Sequence, residues 1–238
     1  MHIALFDLDH TLIPFDSGSV FTRFLAARGA LDPGFEADYL AWCHRYAAGT
    51  VDMVEMHRFT VGALARHSPQ ALADWLRQFE ASIAPLVPNA ARELVRRHQA
   101  AGHLCALVTA TTRFVAEPFA RALALSEVLA TEPAVDAGGR YSGEIVGVPC
   151  FREHKRTHVQ AWLQRQGLDW PDVTRSWFYS DSTNDLPLLQ AVTDPVAVNP
   201  DARLRAHAVQ HGWPVLAITA SAGADGALPT TQLSGDDS

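Results

Sequence analysis

Residues 3–12 read Ile-Ala-Leu-Phe-Asp-Leu-Asp-His-Thr-Leu, an apolar run that leads into two acidic residues and a threonine. Consecutive apolar residues are typical of a strand that is buried on both faces. In α/β proteins, ligands bind at the carboxyl ends of such strands. The stretch therefore predicts a buried strand that delivers Asp7 and Asp9 to a functional site at its end.

A polar segment follows a short apolar run at two later places in the chain. Residues 104–108, Leu-Cys-Ala-Leu-Val, lead into Thr109, and residues 177–179, Trp-Phe-Tyr, lead into Ser-Asp-Ser-Thr-Asn-Asp at 180–185. Helical spacing of apolar residues follows each segment, and residues 194–198 form one more strand pattern. Strands that alternate with helices predict an α/β fold with a parallel sheet covered on both faces.

A helical block interrupts this alternation after the first strand. Apolar residues recur at helical spacing from about residue 17 to 86, with breaks at 32–34, 49 and 68–69, which predicts four helices. We interpret residues 15–87 as an inserted helical cap, and residues 1–14 and 88–219 as the core domain. Residues 220–238 are poor in large apolar side chains, and this composition predicts a disordered tail.

Composition narrows the class of protein. The chain has 238 residues, 48% of them hydrophobic, and a formal net charge of −7, which argues against a nonspecific nucleic-acid binder. The sequence has no apolar run of the length that a membrane span needs and no secretory signal at its start. Its three cysteines lie far apart and form no C-x-x-C pair, so we expect a cytoplasmic protein.

Four aspartates follow predicted strands: Asp7, Asp9, Asp181 and Asp185. Carboxylates placed so close together repel each other unless a cation or a proton is bound. All-oxygen ligation with room for water suits Mg²⁺, so Mg²⁺ is the predicted cofactor.

A site of this kind would hold phosphate. Mg²⁺, the Lys155 ammonium group and the Thr109 hydroxyl together favour a tetrahedral anion. An aspartate can attack phosphorus and form an aspartyl-phosphate, and a second acid can protonate the departing alkoxide and later activate water. Asp7 and Asp9 match these two roles.

The motifs resemble those of the haloacid dehalogenase (HAD) superfamily and occur in the same order. They are Asp7-Leu8-Asp9-His10-Thr11 (motif I), Leu107-Val108-Thr109 (motif II), Lys155 (motif III) and Ser180-Asp181-Ser182-Thr183-Asn184-Asp185 (motif IV). The resemblance implies a Rossmann-like, doubly wound core and a Mg²⁺-dependent phosphohydrolase. It implies Asp7 as the nucleophile and Asp9 as the general acid and base.

The same resemblance implies roles for the remaining motif residues. The metal ligands would be Asp7, the Leu8 backbone carbonyl and Asp181, with Asp9 a further candidate; Thr109 and Lys155 would hold phosphate, with Ala110 and Asn184 beside it, and Asp185 would support Lys155 or the metal.

The long gap between Thr11 and Thr109 places the cap in the C1 position, and the chain resembles the phosphoserine-phosphatase-like subfamily IB. Phosphoserine phosphatases read the substrate with a cap glutamate and a cap arginine, and the resemblance implies Asp16 and Arg58 as the corresponding candidates here. It also implies that the partner is a small phosphorylated metabolite. Phosphoserine, histidinol phosphate and a phospholipid head-group phosphate stay open as substrates. A phosphotransferase or mutase, and a non-catalytic phosphate-binding protein, are the alternatives to a phosphatase.

Overall fold

In this computed structural model, which describes residues 1–219, the chain forms a seven-stranded sheet with the order β4-β3-β2-β1-β5-β6-β7. All neighbouring pairs are parallel except β3 and β4. The strands are β1 (His2–Phe6), β2 (Leu104–Thr112), β3 (Glu127–Val135), β4 (Tyr141–Val146), β5 (Arg175–Ser180), β6 (Asp194–Val198) and β7 (Val215–Leu216).

The central strand β1 is buried on both faces, as its apolar run predicts. Side chains alternate between the faces of a strand. Ala4 and Phe6 pack into one core, and Ile3 and Leu5 pack into another on the opposite face. The predicted α/β class with a doubly wound, Rossmann-like sheet is thereby confirmed.

Helices cover both faces of the sheet. The first core also contains residues of α5 (Asn89–Ala100) and α6 (Arg113–Ala122). The second core contains residues of α7 (His154–Arg165), α8 (Leu186–Leu189) and α9 (Ala202–His211). Within residues 1–219, no helix is long and apolar enough to cross a bilayer.

Residues 15–87, between β1 and α5, contain four α-helices, and we name this segment the helical insert. They are α1 (Ser17–Ala26), α2 (Phe35–Ala47), α3 (Met53–Leu64) and α4 (Pro69–Ile83). Local sequence sets their limits: the side chains of Asp16, Asp52 and Ser68 accept hydrogen bonds from the first turns of α1, α3 and α4. The number of helices agrees with the prediction, whereas the function of the insert as a cap stays a prediction.

The structure contains one strand that the sequence analysis missed, and one prediction lies outside the residues that the structure describes. Strand β3 is nine residues long and parallel to β2, and the apolar-run criterion of the sequence analysis did not identify it. The nonpolar residues of β3 are interrupted by Thr131 and Glu132, which hides the strand from an apolar-run criterion. The predicted disordered tail, residues 220–238, lies outside the described residues.

Candidate active site

The order of the strands brings three of the sequence motifs to one edge of the sheet. Strand β1 lies between β2 and β5, so the residues that follow these strands meet at their carboxyl ends. Asp7 directly follows β1, and its N–H donates to the Tyr179 carbonyl of β5 over 2.9 Å. This is the crevice of the sheet where α/β proteins bind ligands.

A tight turn follows Asp7. The Leu8 carbonyl accepts hydrogen bonds from the N–H groups of Thr11, Leu12 and Ile13, over 3.2, 2.9 and 3.2 Å. The turn returns the Thr11 hydroxyl to Asp7, where it donates to Oδ2 over 3.0 Å. The turn thus uses the Leu8 carbonyl oxygen as an acceptor, and its role as a metal ligand stays a prediction.

Lys155 lies at the centre of the site and is the only lysine in the chain. Its Nζ donates to Asp7 Oδ1 over 2.8 Å and to Asp185 Oδ2 over 2.7 Å, and its side chain is 2% exposed. Burial acts to lower the pKa of Lys155, but Asp185 and Asp7 outweigh it and hold the pKa well above the usual value. Ser180 also donates to Asp185 Oδ2, over 2.7 Å, so this carboxylate is doubly held.

Asp181 completes the acidic group. Its N–H donates to Thr11 Oγ1 over 3.0 Å, and the same hydroxyl lies 3.4 Å from Asp181 Oδ1. Withdrawal from water, followed by the charges of Asp7 and Asp185, raises the pKa of Asp181 to about 9. Asp7 and Asp185 therefore pair with Lys155, whereas Asp181 forms no ion pair within residues 1–219, and this excess of oxygen ligands suits a hard divalent cation.

Asp9 has different partners. Its Oδ1 accepts from the Ser17 N–H over 2.6 Å, and its Oδ2 accepts from the Thr111 hydroxyl over 2.7 Å. Burial, then the charge of Asp16, and then that of Asp7 raise the pKa of Asp9 to about 7, although bonds from Ser17 lower it. A carboxyl group with this pKa suits proton transfer at neutral pH.

The Asp9 side chain already accepts hydrogen bonds from Ser17 and Thr111, and its role as a further metal ligand stays a prediction. Within residues 1–219, no three His, Cys, Asp or Glu side chains are grouped so that they could hold a metal ion. Asp7 and Asp181, which share the Thr11 hydroxyl, are candidates for a cation that keeps several waters, as Mg²⁺ usually does.

The predicted phosphate-binding residues border the same cavity as Asp7. Thr109 is 1% exposed, and its Oγ1 accepts from the Thr111 N–H over 3.2 Å. Ala110 and Asn184 line the cavity next to it. The structure thus brings together the residues of motifs I, II and IV, with Lys155 hydrogen-bonded beneath them.

The cavity extends from these carboxylates into the helical insert and has a volume of about 1050 Å³. Its wall on the insert side is largely apolar and aromatic; that part of the wall includes Phe21, Leu25, Leu31, Phe35, Tyr39, Met53, Met56 and Leu64. The side chain of His57 also lines this wall, and this residue is 5% exposed. The two ends of the cavity therefore differ in chemistry: one is anionic and the other is apolar.

The structure separates the two predicted substrate readers. Asp16 lines the cavity, where its Oδ1 accepts from the Ser19 N–H over 2.6 Å and the Tyr39 hydroxyl over 3.1 Å. Arg58 does not line it: its side chain is 46% exposed and pairs with Glu55 over 2.7 Å and Glu144 over 2.8 Å.

The position of Arg58 follows from the geometry of α3. Successive residues of a helix point about 100° apart. His57 and Val61 face the interior, so Arg58 faces outward, toward Glu144 of β4. The structure thus does not bring Arg58 to the site.

Four residues at the site were not singled out from the sequence: Ser17 and Thr111, which hold Asp9, and Tyr46 and Arg152, which line the cavity. Two of them are ordinary hydroxyl residues that carry no distinctive signal. Arg152 could have been noticed because it lies three residues before Lys155.

Comparison with known proteins gives consistent results. Residues 4–190 match the family of haloacid dehalogenase-like hydrolases. A histidinol-phosphatase of Neisseria meningitidis is 37% identical over 217 residues, which cover 90% of this chain and 98% of that protein. A phosphoserine phosphatase of Mycobacterium tuberculosis, SerB1, is 33% identical over 220 residues, which cover 89% of this chain and 69% of that protein.

Solved structures agree in fold. A Bordetella pertussis protein of unknown function has a TM-score of 0.84 and 46% identity, covering 90% of this chain and 97% of that one. A substrate-bound phosphoserine phosphatase has a TM-score of 0.62 and 15% identity, covering 91% of both chains. At that identity the second likeness concerns the fold alone.

Proposed function

The chain belongs to the haloacid dehalogenase-like hydrolase family and is a hydrolase of small phosphate monoesters, and from this premise we propose that it is a Mg²⁺-dependent phosphatase of histidinol phosphate. The reaction would pass through an aspartyl-phosphate on Asp7. The observation that carries this assignment is the arrangement of two acids with different environments: Asp7 is paired with Lys155, whereas Asp9 has a pKa of about 7.

In the first step, the Asp7 carboxylate attacks phosphorus and the bond from phosphorus to the alcohol oxygen breaks. Lys155 and the Thr11 hydroxyl each donate a hydrogen bond to Asp7 and orient its carboxylate. Asp9 donates its proton to the departing oxygen, because burial and the neighbouring acids raise its pKa to about 7 and so favour its protonated form.

In the second step, Asp9 acts as a base. The Asp9 carboxylate takes a proton from water, the water oxygen attacks phosphorus, and inorganic phosphate leaves as the Asp7 carboxylate is restored. Ser17 and Thr111 hold both Asp9 oxygens, so this group is oriented through both steps.

Asp7 and Asp181 would hold the Mg²⁺ ion. When bound, the ion supplies positive charge that offsets the charge of the phosphoryl group. Thr109, Ala110 and Asn184 lie where they could contact the remaining phosphoryl oxygens.

The charge of the insert wall favours an amine over a carboxylate on the substrate. Among the described residues that line the cavity, the helical insert contributes the Asp16 carboxylate but no lysine or arginine. Both phosphoserine and histidinol phosphate carry an amine that could pair with Asp16. Only phosphoserine also carries a carboxylate, which would find no lysine or arginine on this wall and would lie near the Asp16 carboxylate. The Neisseria relative, whose name is histidinol-phosphatase, supports the same choice.

A phospholipid head-group phosphate is a second candidate for a specific reason. A cavity of about 1050 Å³ lies at the upper end of the range for small-ligand sites, and its inner wall is apolar. A lysophospholipid phosphate would place its chain against this wall.

We further propose that the helical insert acts as a cap that closes over the substrate. We also propose that the enzyme is cytoplasmic, since its cysteines, Cys43, Cys105 and Cys150, are all free.

A panel of phosphate esters tests the assignment. We expect Mg²⁺-dependent release of phosphate, abolished by EDTA, with kcat/KM for histidinol phosphate roughly 100-fold above that for phosphoserine, because a charged hydrogen bond is worth about 1.5–3 kcal/mol. Asp16→Asn should reduce this preference. A higher kcat/KM for a lysophospholipid phosphate would select the second candidate, and inactivity of the folded protein on every ester would favour a phosphate-binding protein.

A further inference from the structure

Arg152 occupies the turn that delivers Lys155 to the site. Its carbonyl accepts from the Lys155 N–H over 3.1 Å, and its backbone has φ of +50°. This left-handed conformation is unfavourable for a residue other than glycine, by about 1 kcal/mol or more, and such residues concentrate at functional sites. The surrounding contacts must therefore hold Arg152 in place.

The guanidinium of Arg152 joins the core to the helical insert. Its Nε donates to Asn184 Oδ1 over 3.2 Å, and its Nη2 donates to the Gly49 carbonyl over 3.0 Å. The group also lies over the Phe151 ring, 4.8 Å from the centroid. Asn184 belongs to motif IV and Gly49 follows α2, so one side chain bridges two parts of the cavity wall.

Gly49 connects this bridge to Tyr46. The Gly49 N–H donates to the Tyr46 carbonyl over 3.0 Å, and φ of +73° at position 49 requires the freedom of glycine. Tyr46 lies in the last turn of α2 and lines the cavity, and its ring packs 5.4 Å from the Phe151 ring.

The charges of the catalytic group also affect the pKa of Tyr46. Burial raises its pKa, Asp185 raises it further, and Lys155 lowers it. Tyr46 lines the same cavity as Asp7 and Asp181, so its side chain belongs to the wall around the catalytic group.

We propose that Arg152 is a positioning residue that holds Tyr46 over the carboxylate–lysine group by fixing Gly49 to Asn184. The role rests on the proposed function, since it assumes that phosphate binds beside Asp7. With Arg152 in place, the end of α2 closes this part of the cavity, and Tyr46 can contact the phosphoryl group. Without Arg152, Tyr46 would keep the hydrogen bonds of α2 and its ring contact with Phe151 but would lose the link to Asn184 through Gly49.

A double-mutant cycle with p-nitrophenyl phosphate tests the link. We expect Arg152→Ala and Tyr46→Ala each to lower kcat/KM by roughly 10-fold, the effect of losing one charged hydrogen bond. The kcat/KM of the double variant should be no more than about 3-fold below that of the less active single variant, because the effects of residues that act through one another are not additive. Arg152→Lys should not restore the rate, since a lysine cannot bridge two acceptors in the fixed geometry of a guanidinium. A double variant about 100-fold below the wild type would contradict the proposal.

Hydrogen exchange of the amides in residues 47–52 gives a second readout that needs no turnover. Exchange should be faster in Arg152→Ala than in the wild type. Arg121→Ala is the matched control, because Arg121 also pairs the core with the insert, through Glu80 over 2.7 Å, but does not line the cavity. It should leave both the exchange and the rate unchanged.

Arg152→Gly guards against loss of folding, because glycine accepts the left-handed backbone while removing the side chain. It should melt at or above the temperature of Arg152→Ala and show the same loss of kcat/KM. Unchanged exchange at residues 47–52 in either Arg152 variant would overturn the proposal. Inactive wild-type enzyme would instead overturn the proposed function, and the exchange experiment would still decide the role of Arg152.

Discussion

The two ends of the cavity are built in opposite ways. At the sheet edge, charged side chains are buried and paired: Lys155 bonds to both Asp7 and Asp185. On the insert side, apolar and aromatic groups form most of the wall, and Asp16 supplies its carboxylate. The difference implies a division of roles in which the sheet edge performs the phosphoryl chemistry and the insert selects the alcohol.

The sheet edge should show the largest effect of a single substitution. Asp7→Asn replaces the nucleophile with a group that cannot attack phosphorus, so we expect kcat to fall by more than about 10⁴-fold. The Lys155–Asp185 pair remains in this variant, so its melting temperature should stay close to that of the wild type. Phosphate release and thermal unfolding measure the two quantities. Residual turnover near the wild-type level would remove Asp7 from its assigned role.

Lys155→Met tests how far the sheet edge depends on one cation. The substitution leaves the buried carboxylates of Asp7 and Asp185 without their ammonium partner. Breaking a buried ion pair costs about 3–5 kcal/mol, so the free energy of unfolding without Mg²⁺ should fall by that amount. Urea unfolding, with Arg121→Met as a surface control, measures it. A loss as small as that of the control would show that the pair is not important for stability.

The insert wall should respond to pH through His57. Its Nε2 has no hydrogen-bond partner among the described residues, and burial lowers its pKa to about 4 from 6.5, although a bond to Ala110 raises it. Between these two values the unfolded chain binds the extra proton, so stability is complete above about pH 6.5 and decreases as the pH falls toward 4.

The total loss from His57 should be about 3 kcal/mol, because each unit of pKa shift corresponds to about 1.4 kcal/mol. His57→Gln cannot titrate and should lack this contribution. The measurement is the free energy of unfolding of both proteins at pH 7 and pH 4.5. Equal decreases in the two proteins would mean that His57 is not the group that titrates.

The same contrast explains what the sequence could predict. The residues of the sheet edge follow strands at short, fixed spacings, so Asp7, Thr109 and Asp181 could be placed at one edge before the structure was known. The Leu8 carbonyl could not be placed, because its direction depends on how tightly the next turn closes.

The insert wall was harder to predict because packing between helices decides which residues face the cavity. Asp16 was within reach of prediction because it immediately precedes α1 and lies close to motif I. Tyr46 and Arg152 meet only in three dimensions, through Gly49. No spacing in the sequence encodes that contact.

Substitution of Arg58 should have the smallest effect on catalysis, and it tests whether Arg58 lies outside the insert wall. Its guanidinium pairs with Glu55 and Glu144 at the surface, and exposed pairs contribute little to stability. Arg58→Ala should therefore leave KM for histidinol phosphate within about 2-fold of the wild-type value. The ratio of kcat/KM for histidinol phosphate to that for phosphoserine should also stay within about 2-fold. Asp16→Asn should change both quantities by more. A rise in KM confined to Arg58→Ala would mean that α3 turns this arginine toward the substrate on binding, and the wall would then offer a cation to a substrate carboxylate.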